Sequence, residues 1–208
     1  MPIARALLIA ALSCGCYSAL ALGRARIVDK GRFELVAASG VTAVATAHGD
    51  PNPRPSLELG VRYGLTDRVE RGGRISDSGG VASVRTQLRR GDTYGIDFLL
   101  APGLAYTATD KLAAELPVLI GWNLPRHNQL VLAPRLVYQL RFGVGDQAQP
   151  AAFVFAGGSL AFVWQVTSRV SLAPQAGVLF VVYAAPGFTS FTTPGPAVQA
   201  AIAVLLNP

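Results

Sequence analysis

The sequence predicts an all-β fold: an up-and-down antiparallel transmembrane β-barrel of about ten strands, within a range of eight to twelve. Three observations predict it. Apolar residues recur at every second position through most of the chain beyond Gly31. Short polar connections alternate with longer ones. The polar face of the alternating segments carries too little charge to cover a surface that meets water.

The chain has 208 residues, enough for a single barrel, and 51% of them are hydrophobic while only 14% are charged. A soluble domain carries roughly 25% charged residues. Beyond residue 21 no uninterrupted apolar run approaches the roughly 20 residues that a membrane helix needs. The apolar content is therefore divided among many short segments, punctuated by 22 glycines and 14 prolines. The net charge of +6 is not organised for nucleic acid. Lys30 and Lys111 stand alone, and Arg89-Arg90 is the sole adjacent basic pair.

Met1 to Arg5 is short and positive, Ala6 to Leu12 is apolar, and small residues follow, which is the layout of an export signal. Both cysteines lie directly behind it in Leu12-Ser-Cys-Gly-Cys16. Cys14 and Cys16 are too close for an ordinary structural disulfide, and nothing later in the chain pairs with them or completes a metal site. They resemble a bacterial lipobox, which implies lipidation of Cys16, preceded by Gly15, or of Cys14. Leu is missing three residues upstream of either. Cleavage after Ala19-Leu-Ala21 is the competing reading. The expected division is a lipoprotein-type signal over residues 1–15, a linker over 16–32 and the barrel over 33–208.

The strands follow from the alternation. Leu57, Leu59, Val61, Tyr63 and Leu65 form one face against Glu58, Gly60, Arg62 and Gly64. Leu130, Leu132, Leu136, Tyr138, Leu140 and Phe142 do the same against Gln129, Arg135, Gln139 and Arg141. A helix would instead need apolar residues at i, i+3, i+4 and i+7. The expected strands are 33–46, 56–65, 69–76, 81–88, 94–106, 112–122, 129–143, 152–166, 170–183 and 196–206. The short turns are Thr66–Arg68, Arg89–Asp92, Asn123–His127 and Thr167–Arg169. The longer connections are Ala47–Pro55, Val144–Pro150 and Ala184–Gly195. Thr107–Lys111 is short and departs from the alternation. Aromatic residues including Tyr63, Tyr106, Trp122, Tyr138 and Trp164 fall near strand ends or on the apolar face, where membrane barrels carry aromatic girdles.

A soluble barrel also alternates, with its apolar face inward and charges outside. Here the apolar face is wide and nearly free of charge, as lipid requires. The polar residues then belong to the lumen. Glu58, Arg62, Arg74, Arg85, Asp97, Glu115, Arg135 and Arg141 form a candidate lumen network, with Glu70 among the acidic partners.

With an export signal, a lipobox-like stretch and the strand–turn–strand units Tyr63-Gly-Leu-Thr-Asp-Arg-Val69 and Val166-Thr-Ser-Arg-Val170, the chain resembles the small outer-membrane barrels of Gram-negative bacteria. The resemblance covers nearly all of the mature chain and is one of pattern. It implies residence in the outer membrane, with the lipid bilayer and the outer-membrane assembly machinery as partners. Many members end in an aromatic residue that this machinery reads, whereas this chain ends Leu205-Leu-Asn-Pro208.

No enzymatic activity is expected, and no cofactor, metal or small-molecule ligand. His48 and His127 fall in connections at opposite ends of the barrel, and His48 with Asp50 lacks any catalytic motif. No Gly-x-Gly-x-x-Gly opens a helix, and no phosphate loop, cysteine cluster or calcium loop occurs. The expected function is a structural or interaction role with a narrow or plugged lumen. The alternatives are a small anion-preferring channel, a soluble periplasmic lipocalin-like barrel that binds an apolar ligand, and a lipid-modifying enzyme that depends on His48.

Overall fold

The computed structural model of the protein describes residues 23–46, 49–77, 79–107, 111–142, 151–185 and 196–207. The expected signal, with Cys14 and Cys16, lies outside the described residues, as does His48. The strands are β1 (Phe33–Thr46), β2 (Gly49–Gly64), β3 (Val69–Ser76), β4 (Gly79–Arg89), β5 (Ile96–Leu100), β6 (Gly103–Thr107), β7 (Lys111–Asn123), β8 (Gln129–Arg141), β9 (Ala151–Gln165), β10 (Val170–Ala184) and β11 (Ala197–Leu206).

All pair antiparallel in one sheet. β1 pairs with both β2 and β11, β3 pairs with β4, and the sheet closes on itself. β5 and β6 lie end to end between β4 and β7, so eleven strands make ten staves. The single stave expected over 94–106 breaks at Ala101 and Pro102, where proline has no N–H for the ladder. The wall is bridged there by Val84 N–H donating to the Pro102 carbonyl (3.1 Å) and Ala101 N–H donating to the Pro117 carbonyl (3.0 Å).

The turns at one end are set locally. Thr66 Oγ accepts from the N–H groups of Arg68 (3.2 Å) and Val69 (3.0 Å). Thr167 Oγ accepts in the same way from Arg169 (3.2 Å) and Val170 (3.0 Å). A threonine hydroxyl capturing its own backbone two and three residues on favours a tight turn. The same end carries Arg90–Gly95, Leu124–Asn128 and the outer ends of β1 and β11. His127 sits here, next to Arg126, and both have φ near +59°.

The connection expected over Ala47–Pro55 is corrected. β2 begins at Gly49, and β1 and β2 form a tall hairpin. Its prolines are tolerated for a geometric reason. Gly64 N–H donates to the Arg32 carbonyl (3.0 Å) and Leu65 N–H to the Val69 carbonyl (2.9 Å). Even-numbered residues of β2 therefore bond toward β1, and odd-numbered ones toward β3. β3 ends at the Ser76–Glu58 pair, so Pro53 and Pro55 lie beyond it. Their missing N–H groups fall on an edge with no neighbouring strand among the described residues. Prolines on such an edge remove the donors that another chain could capture.

The alternation sorts the polar residues inward and most large apolar residues outward, with Val36, Leu99, Leu119 and Val131 among the apolar residues inside. Leu57, Leu59, Val61 and Tyr63 on β2, and Leu132, Leu136 and Tyr138 on β8, are exposed on the outer face. Glu58, Arg62, Gln129, Arg135 and Gln139 on the same strands are buried inside. This is the inverse of a soluble barrel, so the lipocalin-like arrangement with an inward apolar face is not the one formed. Aromatic residues gather at both ends of the outer face. Phe33, Tyr63, Tyr94, Trp122 and Trp164 lie toward the short turns, and Tyr106, Tyr138, Phe142 and Tyr183 toward the other end. From Leu130, the cross-strand partner of Trp122, to Tyr138 is eight residues. At roughly 3.4 Å per residue and a tilt of about 40° this places the belts about 20 Å apart along the axis. Arg71, on the outer face, lies beside a turn with its guanidinium 5.7 Å from the Tyr63 ring centroid.

Residues 23–28, within the expected linker, lie inside the barrel, and 29–32 form an exposed turn. Ala25 and Ile27 are buried in one apolar cluster with residues of seven strands, among them Val36, Leu119, Val131 and Ala203.

The proline edge is testable. A Pro53→Val/Pro55→Val chain regains two edge donors. On refolding it is expected to form cross-linkable oligomers at a detergent concentration where the unmodified chain stays monomeric.

Candidate functional site: the ionic lumen

Inward positions of the staves carry five carboxylates: Glu34, Glu58, Glu70, Asp97 and Glu115, each nearly fully buried. A carboxylate removed from water must be paired or lose its charge. Each of these has a cation within reach, and they stand in three groups.

The middle group spans the lumen. Glu115 on β7 lies 3.1 Å from Arg74 Nη2 of β3 and 2.9 Å from Arg135 Nη1 of β8. Arg74 also reaches Glu58 of β2 at 3.5 Å. Gln199 of β11 donates to Glu58 at 3.3 Å. The second group lies nearer the short turns. Glu70 accepts from Arg85 Nη1 at 2.5 Å and lies 3.7 Å from Arg62, while Arg62 pairs closely with Glu34. Glu34, Arg62, Glu70 and Arg85 come from β1, β2, β3 and β4, so adjacent staves are tied at one height. The third group is centred on Asp97 of β5, which accepts from Arg26 Nε (3.1 Å), Gln129 Nε2 (2.9 Å) and Gly91 N–H (2.7 Å).

A cavity of about 70 Å³ lies between the first two groups, lined by Arg62, Arg74, Arg85, Glu115, Arg135 and Pro117 among others. That is room for a few water molecules. Toward the opposite end Ala105, Ala113 and Val137 form a small apolar cluster, packed with Val81 and Phe155.

The N-terminal segment runs through the lumen near the short-turn end. Its backbone is held by wall side chains. Ala25 N–H donates to Gln129 Oε1 (2.8 Å), Ile27 N–H to Gln87 Oε1 (3.0 Å) and Val28 N–H to Glu70 Oε2 (2.6 Å). Its carbonyls are met as well: Gln87 donates to Ala25 O (3.1 Å) and Arg85 to Arg24 O (2.5 Å). The Arg24 side chain donates to Ser171 Oγ of β10. The segment leaves the lumen through a turn over Asp29–Arg32, closed by Arg32 N–H donating to Asp29 O (3.0 Å), with Gly31 at φ +77°. It passes so close to β2 that a Cβ on Gly64 would stand 2.2 Å from the Asp29 carbonyl oxygen. Only glycine fits there.

Of the eight residues picked out from sequence, Glu58, Arg74, Glu115 and Arg135 come together in the middle group and Arg62 and Arg85 in the second. Asp97 stands in the third, and Arg141 at the far rim, half-buried beside Lys111. Arg62 pairs with Glu34 and Glu70, and Glu58 on its own strand pairs with Arg74. Sequence reasoning missed Glu34, Gln87 and Gln129 as site residues. Their inward phase within alternating strands was a usable signal. It also missed Arg24 and Arg26, whose alternation with Ala25 and Ile27 is the visible trace of an extended segment. The three groups and the N-terminal segment hold Arg24, Arg26, Arg62, Arg74, Arg85 and Arg135 against the five carboxylates, and Arg54, Lys111 and Arg141 stand half-buried on the same inward phase, so positive charge is in excess. Among the described residues no group of three or more His, Cys, Asp or Glu side chains stands ready to hold a metal ion.

No protein-family model matches the chain, and no curated protein does. Solved structures similar in shape include the Neisserial surface protein A (12% identity, TM-score 0.46, covering 85% of this chain and 97% of that one). Ail, the attachment invasion locus protein of Yersinia pestis, in complex with sucrose octasulfate, is another (8%, 0.42, 85% and 98%). OprG, an outer-membrane protein of Pseudomonas aeruginosa, is a third (11%, 0.36, 88% and 100%). The likeness is one of barrel shape at low identity.

Glu115 is a junction of the network, since two guanidiniums converge on it. Glu115→Ala is expected to lower unfolding stability by about 3–5 kcal/mol, as for breaking a buried ion pair. Arg141→Ala, at the rim, is expected to cost less than about 1 kcal/mol. Urea titration of the folded barrel in vesicles checks both.

Proposed function

We propose that the chain is a small outer-membrane β-barrel of a Gram-negative cell, exported by its N-terminal signal, with a structural or interaction role. In this reading its lumen is plugged at rest and it carries no catalytic activity. One observation carries the proposal: a closed sheet whose outer face is apolar between two aromatic belts while its charges are paired inside. Water would not stabilise that arrangement, whereas a bilayer needs it. Lipid satisfies no backbone polar group, so a closed ring of strands suits it, and the belts match the headgroup levels. The spacing of about 20 Å lies near the apolar height of roughly 25 Å usual for such barrels. Lipidation at Cys16 or Cys14 would hold the N-terminus at the end where the segment over 23–32 leaves the lumen.

The plugged reading is supported by the ion pairs across the middle and the peptide segment across one end. The excess positive charge favours anions if the path opens, which keeps a channel role as the second reading.

Two measurements test the proposal. The outer-membrane fraction, run on a gel with and without boiling, is expected to show a heat-dependent mobility shift, and detergent is expected to be needed for extraction. Recovery from the soluble periplasm without a shift contradicts it. Leu136→Arg, on the outer face of β8 between the barrel's mid-height and the Tyr138 belt, is expected to destabilise the barrel in vesicles by about 1–3 kcal/mol. A solvent-facing site would tolerate the change with almost no loss.

A further inference from the structure

The lumen holds residues 24–28 in two ways: Ala25 and Ile27 pack into the apolar cluster, and wall side chains bond the segment's backbone. A core holds a segment by side-chain packing. Here the wall also reads the backbone: Gln129, Gln87 and Glu70 accept from three alternate or adjacent N–H groups, and Gln87 and Arg85 donate to two carbonyls. Side chains from β3, β4 and β8 thus do for this segment what a neighbouring strand would do in a sheet. The segment itself joins no ladder inside the lumen, and its bridge to Gly64 lies at Lys30, outside. Charged side chains of the segment add to this hold: Arg24 donates to Ser171 Oγ, and Arg26 pairs with Asp97 and donates to the Gly91 carbonyl (2.9 Å). The turn over 29–32 that ties the segment to β1 is exposed on all its residues.

We infer that the lower lumen is a binding site for an extended peptide backbone, occupied by the chain's own residues 24–28, and that a separate peptide of this sequence can take the place of the segment once it is cut from β1. Ten staves leave more interior than eight, which side chains alone fill. The segment takes up that extra space. Its removal leaves the lower lumen lined by Gln87, Gln129, Asp97, Glu70 and Arg85, a polar surface that water can wet. The inference rests on the membrane-barrel reading above.

The exposed turn supplies the experiment. Lys30 and Lys111 are the only lysines of the chain. In a full-length Cys14→Ser/Cys16→Ser/Lys111→Arg chain, which no lipid tethers, folded in vesicles, a lysine-specific protease cuts once, after Lys30, and severs the segment from β1. A high-salt wash is expected to release the cut segment and to leave a barrel that keeps its heat-dependent shift on a gel. A fluorophore-labelled peptide of residues 23–29 is expected to bind the washed barrel saturably, and the same peptide with N-methyl groups on Ala25 and Ile27 is expected to bind at least about tenfold more weakly. Retention of the cut segment after the wash overturns the inference. So does a washed barrel that fails to bind the peptide or binds both peptides equally, and so does resistance of Lys30 in the folded barrel. Failure of the membrane reading looks different: no heat-dependent shift on a gel and no insertion into the bilayer.

Discussion

Charge neutralisation inside a closed volume is the constraint on which the structure depends. The outer face takes the apolar residues, so every ionisable side chain on the inward phase of a strand is confined with the others. Glu115 lies between Arg74 and Arg135, Glu70 between Arg62 and Arg85, and Glu34 against Arg62. Sharing each carboxylate between cations ties β7 to β3 and β8, and β1 to β2, β3 and β4. The gain is one of specificity more than of raw stability, since a buried pair roughly repays its own desolvation. A slip of one residue in any stave would exchange its two faces and turn Glu115 or Arg135 outward. The ion pairs therefore hold the register that the apolar alternation proposes.

Ten staves create a second demand. Their interior is wider than one layer of side chains fills. The middle carries the arginine and glutamate groups, the far end the cluster of Val137 with Phe155 and small neighbours, and the short-turn end a stretch of main chain. Using backbone as filler brings unsatisfied N–H and C=O groups into the lumen, and each would cost free energy if left unpaired. Gln87 and Gln129 answer this with amides that both donate and accept.

The fold was readable because period-two alternation is a direct record of which face a residue occupies, and Leu130 to Phe142 shows it over a whole stave. The lumen was readable for the same reason: Glu58, Arg62 and Arg135 sit in the polar phase and cannot face outward. Pairing was not readable, because it depends on stagger between strands far apart in sequence. Arg62 meets Glu34 and Glu70 through the register of β1, β2 and β3, which no local pattern encodes. The Pro53 and Pro55 region looked like a loop because proline usually ends a strand. The two fall on the edge where β3 has already stopped, which depends on the relative lengths of neighbouring strands. The segment over 24–28 carried alternation too short to separate from a linker, and its partners lie 42 to 147 residues away in sequence.

The central claim is that the outer face of this sheet meets lipid. The chain has two tryptophans, Trp122 and Trp164, and both stand exposed on that face near the short-turn belt. Their fluorescence in vesicles made with lipids brominated near the headgroup end of the acyl chain tests the claim without altering the protein. Strong quenching by the brominated lipid and weak quenching by aqueous iodide is the expected result. Strong iodide quenching with no effect of bromine would place both rings in water and contradict the claim.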